Sequence, residues 1–194
     1  MDKLVKFLRL GAHDMRSPGN TRELVRDVLQ DHGSVDVLVR AVQTGDKYVR
    51  MRAMDALQKI SVEHPELLQP FVPDLLGCIA KIPQQEVQWH VAQIIPMLQL
   101  TSEQQERAHA ICRAYLAAQS RIVQAWALTA LVRLGQMNPS YRQEGDALLE
   151  QALKSDSAAV RTRAELLVGE LCATSASLTH RGQADSKLRP FTGL

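Results

Sequence analysis

The chain has 194 residues, of which 45% are hydrophobic, 23% charged and only 4% aromatic, a globular composition rich enough in apolar residues to exclude an intrinsically disordered chain. Its formal net charge of +2 is unevenly spread: residues 1–60 hold 11 Lys/Arg against 8 Asp/Glu, residues 61–120 hold 3 against 6, and residues 121–194 hold 9 against 7. An acidic middle third argues against a continuous basic groove tracking a nucleic-acid backbone.

Charge interrupts the apolar residues of the first ten positions, Met1 to Leu10, too often for a signal peptide, and no run approaches the length of a membrane span. A cytoplasmic protein is expected. Cys78, Cys112 and Cys172 are odd in number and widely spaced, with no Cys-x-x-Cys pair and no histidine placed to complete a metal set. They read as small core residues in a reducing compartment.

From residue 20 onward the spacing of apolar residues predicts helical hairpins. Asn20 with Glu23 marks a helix start, Thr21, Val25, Val28 and Leu29 form a stripe, and Gly33-Ser34 predicts a tight turn before a second helix over 35–43. A longer copy then begins near 46, anchored at Val49. Similar segments are anchored at Val87, Val123 and Val160, at intervals of 38, 36 and 37 residues.

Four residues past these anchors stand Ala53, Val91, Ala127 and Ala164. Ala56, Ile94, Ala130 and Leu167 follow at seven, Leu57, Ile95, Leu131 and Val168 at eight, and Ile60, Leu98, Leu134 and Leu171 at eleven. At about 100° per residue these offsets share one helical stripe. Each segment is therefore an amphipathic first helix.

Second helices are predicted at about 71–82, with Leu75, Leu76 and Ile79 facing inward, at 103–118 and at 141–154. Pro70 and Pro73 predict a short turn near 65–69 and a helix beginning at Pro70 to Pro73, Pro96 predicts a kink in the third copy, and Asn138-Pro139 predicts a capped start. The hairpins fall near 20–43, 46–82, 85–118 and 121–154, with a final helix over 157–172. Residues 173–194 lack an apolar stripe and predict a flexible tail, in which Leu188, Pro190, Phe191 and Leu194 form a candidate linear peptide.

The run Val49-Arg50-Met51-Arg52-Ala53-Met54-Asp55-Ala56-Leu57 and its counterpart Val160-Arg161-Thr162-Arg163-Ala164 resemble the first helix of HEAT repeats, with Asp46 and Asp156 at the turn position. The central copies depart, with Gln88 and Gln124 for the arginine and Gln84-Gln85 and Ser120 for the aspartate. The resemblance covers residues 20–172. It implies an all-α, right-handed α–α superhelix of armadillo type, with first helices convex and second helices lining a concave surface.

No catalytic motif emerges. The chain has no His-Glu dipeptide of the kind that holds iron in deoxyhypusine hydroxylases, no phosphate-cradling glycine loop and no Gly-x-Ser-x-Gly elbow. Neither cofactor nor metal is expected. The alkylpurine DNA glycosylases, also helical-hairpin arrays, are the nearest enzymatic resemblance, but both Trp89 and Trp126 fall on first helices, away from the groove such an enzyme uses. The primary expectation is a non-catalytic scaffold or adaptor binding a protein or peptide; nucleic-acid binding or DNA repair is the alternative.

Candidate contact residues are Lys81, Glu106, His109, Arg113 and Glu150 on the second helices, a set of mixed sign that suits protein better than nucleic acid. Glu106, His109 and Arg113 share one helix face. Trp89, two residues past its anchor and opposite the stripe, is the candidate anchor for an interaction, provided that it is not packed between repeats. Trp126 is expected to pack between repeats.

Overall fold

The structure, a computed structural model, describes residues 21–30 and 35–186, with side chains as far as 173. The expected turn at Gly33-Ser34, and the Leu188 to Leu194 peptide, lie outside the described residues. Among those described there is no strand. The helices are α1 (Thr21–Gln30), α2 (Val35–Thr44), α3 (Lys47–Glu63), α4 (Val72–Asp74, running into a π-helical turn at Leu75–Ile79), α5 (Gln85–Ile94), α6 (Ser102–Tyr115), α7 (Arg121–Met137), α8 (Arg142–Leu153) and α9 (Ala158–Ser186). None of them is long and apolar enough to cross a membrane.

First helices α1, α3, α5, α7 and α9 form a row in which each packs on the next, with the second helices laid against them. The predicted stripe is what they bury. At the Val49, Val87 and Val123 copies all five positions are 2% exposed or less, and at the last copy Ala164 and Leu167 are fully buried while Val168 is 36% exposed. One core runs from α1 to α7, and a smaller cluster of Leu128, Val132, Ala152, Ala164 and Leu167 joins α7 and α8 to α9. Removing this apolar surface from water, at about 25 cal/mol per Å², is the main force stacking the hairpins.

Polar side chains set the angle between them. One residue past the anchor, Arg50 Nε donates to Val42 O at 2.9 Å, Gln124 Nε2 to Ala118 O at 2.7 Å, and the Arg161 guanidinium to Ser155 O. These carbonyls lie at or just past the C-terminal ends of α2, α6 and α8, where backbone oxygens have no intrahelical partner. Gln124 thus does the work of the arginine it replaces. Asp46 caps α3, its Oδ1 accepting from Tyr48 N and Val49 N. At the last copy the expected Asp156 is exposed and Ser155 Oγ accepts from Ser157 N instead.

Prolines place three boundaries. Residues 65–71 form a 3₁₀ turn containing Pro70, and α4 begins at Val72 with Pro73 in its first turn, where a missing N–H costs nothing. Pro96 does not kink the third copy; it ends it. α5 stops at Ile94 and a 3₁₀ turn follows at Ile95–Met97, because the proline ring clashes with the preceding turn. Leu98 is therefore extended (φ −95°, ψ 150°), yet it still reaches its predicted buried position.

The end expected at 172 also moves. α9 runs on to Ser186, since residues 173–186 contain no proline and a single glycine, and lack of an apolar stripe removes packing without removing backbone hydrogen bonds.

Helices α7 and α8 approach closely at Gly135, where an added Cβ would lie 3.0 Å from Tyr141 O and 3.1 Å from Arg142 Cα. Alanine has the better helix propensity by roughly 0.5–1 kcal/mol, but displacing a neighbouring backbone costs about 1–3 kcal/mol. Gly135→Ala is predicted to lose about 1 kcal/mol of unfolding free energy in urea titration; a gain would show that the α7–α8 contact is loose.

Candidate functional site

The helix α6 begins with a capping box, in which Thr101 Oγ1 accepts from Gln104 N and Gln104 Oε1 from Thr101 N. From that start, spacings of three and four residues carry Glu106, His109 and Arg113 along one side of the helix. The structure joins two of them through a residue that the sequence did not single out. Glu144, in the first turn of α8, places Oε2 2.8 Å from His109 Nε2 and Oε1 2.8 Å from the Arg113 guanidinium. The His109 ring also stacks on Tyr141, with centroids 4.3 Å apart and planes 15° from parallel.

One turn further along both helices, Leu116 and Leu148 enter an open groove of about 480 Å³. Its floor is completed by Leu128, Ala152 and Val160, and Gln151 and Lys154 stand at its rim. Gln124, Ser155 and Asp156 also line it, so the polar clamp adjoins a groove of mixed lining with an apolar floor. Lys81, Glu106 and Glu150 are exposed, and among the described residues no hydrogen bond or ion pair joins them to the clamp. Glu144 and Tyr141 lie 35 and 32 residues beyond His109, near one repeat length, which is the signal that could have found them.

Trp89 does not stand clear of the core opposite the stripe. It is half-buried against it, with its ring edge-on to His90 at 5.5 Å, because a first helix in a row has neighbours on two sides. Trp126 also packs at the seam between repeats, under the guanidinium of Arg163 at 4.4 Å. Arg163 in turn donates to Thr129 Oγ1 and to both carboxylate oxygens of Glu170.

The cysteines divide. Cys112 is fully buried and its thiol is pushed up to about 12 by desolvation, which makes it an inert core residue. Cys78 and Cys172 are exposed, contrary to the core reading. Cys78 follows Gly77, whose backbone (φ −101°, ψ −107°) breaks the helical path, and Cys172 lies one residue beyond the stripe of α9. Among the described residues no three His, Cys, Asp or Glu side chains gather as a metal site.

His90 is the buried titratable group of the α3–α5 seam. Desolvation, the largest effect, lowers its pKa below the ordinary 6.5; the Gln93 hydrogen bond at 2.8 Å and the charges of Asp55 and Glu86 oppose it, and Lys59 adds to it.

No model of a known protein family matches the chain, and no curated protein matches it in sequence.

Two predictions follow from this geometry. Glu144→Ala releases His109 and Arg113 together, and since Arg113 is half exposed the loss should be modest, about 0.5–1 kcal/mol. A double-mutant cycle between His109 and Glu144 should return a coupling of that order; zero coupling would mean that the clamp is not held in solution. For His90, the unfolded chain binds the proton more tightly than the folded one. Stability is therefore complete above the unfolded pKa of 6.5 and declines as pH falls below it towards the lowered folded value. Melting temperatures across that range should show a slope that His90→Gln flattens.

Proposed function

We propose that the chain is a non-catalytic scaffold or adaptor, a right-handed HEAT-like superhelix that binds a protein or peptide on the surface formed by its second helices. The observation that carries this reading is the junction of the His109–Glu144–Arg113 clamp with the apolar-floored groove at Leu116 and Leu148. Clamp residues offer charge and hydrogen bonding to a peptide backbone or side chain, and the groove offers burial, the mixture that protein recognition sites use. Exposed Lys81, Glu106 and Glu150 extend the surface with both signs of charge.

The fate of the arginines supports protein over nucleic acid. Arg50 and Arg161 are spent on helix-end carbonyls, Arg163 on Trp126 and Glu170, and Arg52 is only 2% exposed. Of the five arginines near the anchors, Arg121 alone is exposed to the surface. A phosphate-tracking strip needs several aligned, solvent-facing cations.

The test is affinity capture from the native cell on immobilised full-length chain and on the Arg113→Glu/Lys154→Glu variant. The variant should keep its melting temperature and lose the partners that the parent retains. Identical partner sets would overturn the assignment of the surface. Duplex DNA binding that weakens by about 10³-fold or more between 50 and 200 mM salt would favour the nucleic-acid reading instead.

A further inference from the structure

At three copies the residue after the anchor valine is spent on a carbonyl at the end of the preceding second helix; at the Val87 copy it is not. Ala80 O, eight residues before Gln88 as Val42 O is eight before Arg50, is already taken by Tyr115 OH at 2.7 Å. Gln88 is thereby released. Its half-buried amide has no hydrogen-bond partner among the described residues.

That amide lines an open trough of about 650 Å³ between the start of α5 and the turn that precedes α7. Gln85, Gln119 and Ser120 stand around it, and Ala117 and Ala118 give it small walls. Gln119 is exposed and, like Gln88, has no partner among the described residues; Ser120, at the N-cap of α7, makes no side-chain cap bond. No ionisable side chain lines the trough, although 23% of the chain is charged. Glu86, beside it in sequence, is 6% exposed and accepts from Gln85 Nε2 at 3.1 Å.

A charged ligand would leave water there without meeting a counter-charge. Primary amides and a hydroxyl instead offer donors and acceptors side by side, the complement of a peptide group with its one N–H and one C=O. The trough also continues the groove at Leu116 and Leu148. Ala117 and Ala118 follow Leu116 directly, and Gln124, which lines that groove, holds Ala118 O at 2.7 Å. An extended chain, with side chains on alternate faces, lays an apolar side chain on the groove floor and its backbone across the amides.

We propose, resting on the adaptor reading of the adjoining groove, that the trough at Gln88 and Gln119 is a backbone-binding subsite for an extended, uncharged stretch of a partner protein. The partner then presents a peptide segment rather than a folded face, in which a large apolar residue is followed by neutral ones.

The probe is a phage-displayed library of random peptides selected on the full-length chain, with the enriched sequences made as capped peptides and titrated by calorimetry. They should share a large apolar residue beside a run free of Asp, Glu, Lys and Arg. Gln88→Met, which keeps the length of the side chain and removes its amide, and Gln119→Ala should each weaken binding about threefold to tenfold, as expected for one lost hydrogen bond. Neither amide bonds within the chain, so melting temperatures should not move. N-methylating the backbone of the neutral run should weaken binding by a similar factor, while replacing its side chains with alanine should not. Enriched peptides that carry a common charge in that run, or that bind Gln88→Met and Gln119→Ala as tightly as the parent, overturn the subsite. If Arg113→Glu/Lys154→Glu nevertheless abolishes their binding, the adaptor reading of the groove stands without it; if no variant affects them, both fall. A library that yields no binder also overturns the subsite and leaves the groove to partners that present a folded surface.

Discussion

Three of the stacking steps in this protein are fixed by a side-chain donor that reaches backwards. At the Val49, Val123 and Val160 copies the residue after the anchor valine satisfies a carbonyl left over at the end of the preceding second helix, by Arg50, by Gln124 and by Arg161. Apolar burial alone would allow a first helix to roll or slide on its neighbour, because hydrophobic attraction has no direction. A hydrogen bond to a helix-end carbonyl has one, and a charged donor there also meets the negative end of the helix dipole. Together they fix where each hairpin sits, and hence which side chains meet across the seam.

That placement is reinforced by polar contacts that recur at about one repeat length. Gln43 Nε2 donates to Asp74, the Gln69 amide pairs with the backbone of Gln99, Asn138 Nδ2 donates to Gln105, and Tyr115 OH donates to Ala80 O at 2.7 Å. Separations of 30 to 35 residues mean that each bond spans neighbouring hairpins. Such partners are satisfied only in one register, so they select it even where their net contribution is near 1 kcal/mol apiece. The His109–Glu144 pair belongs to this ladder as much as to the candidate site.

Periodicity carried the fold into view because burial is a property of spacing. Val49, Ala53, Ala56, Leu57 and Ile60 repeat in type and in burial, and even Leu98 keeps its buried place after Pro96 has ended the helix beneath it. What the spacing within one helix could not convey was the partner across a seam, to which only an offset of about one repeat length points. His109 and Arg113 were visible as a pair on one face, but Glu144 lies on another helix, and nothing in α6 announces it. The surroundings of Trp89 stayed open for the same reason, since a helical wheel knows only one buried side and a first helix in a row has neighbours on two; the ring lies half-buried against the core. Cys78 needed the backbone break at Gly77, which no apolar pattern encodes.

The surface of the second helices and the open seam between α7 and α9 differ in kind, and the difference follows from how the row is built. On the second helices, side chains of adjacent hairpins are joined by charge-assisted bonds, so the clamp at His109, Glu144 and Arg113 presents polar groups already oriented, with the groove at Leu148 beside it. Across the first helices, large residues at Met51 and Trp89 close the early seams and small ones at Ala125 and Thr162 leave the last one open. A ligand at the second-helix surface meets fixed hydrogen-bonding geometry, which rewards specificity; one at the α7–α9 groove meets apolar walls, which reward size and shape. The two sites lie on opposite sides of α7 and use different residues of it, Gln124 and Leu128 on one side and Ile122, Ala125 and Trp126 on the other. Occupying one therefore need not displace the other.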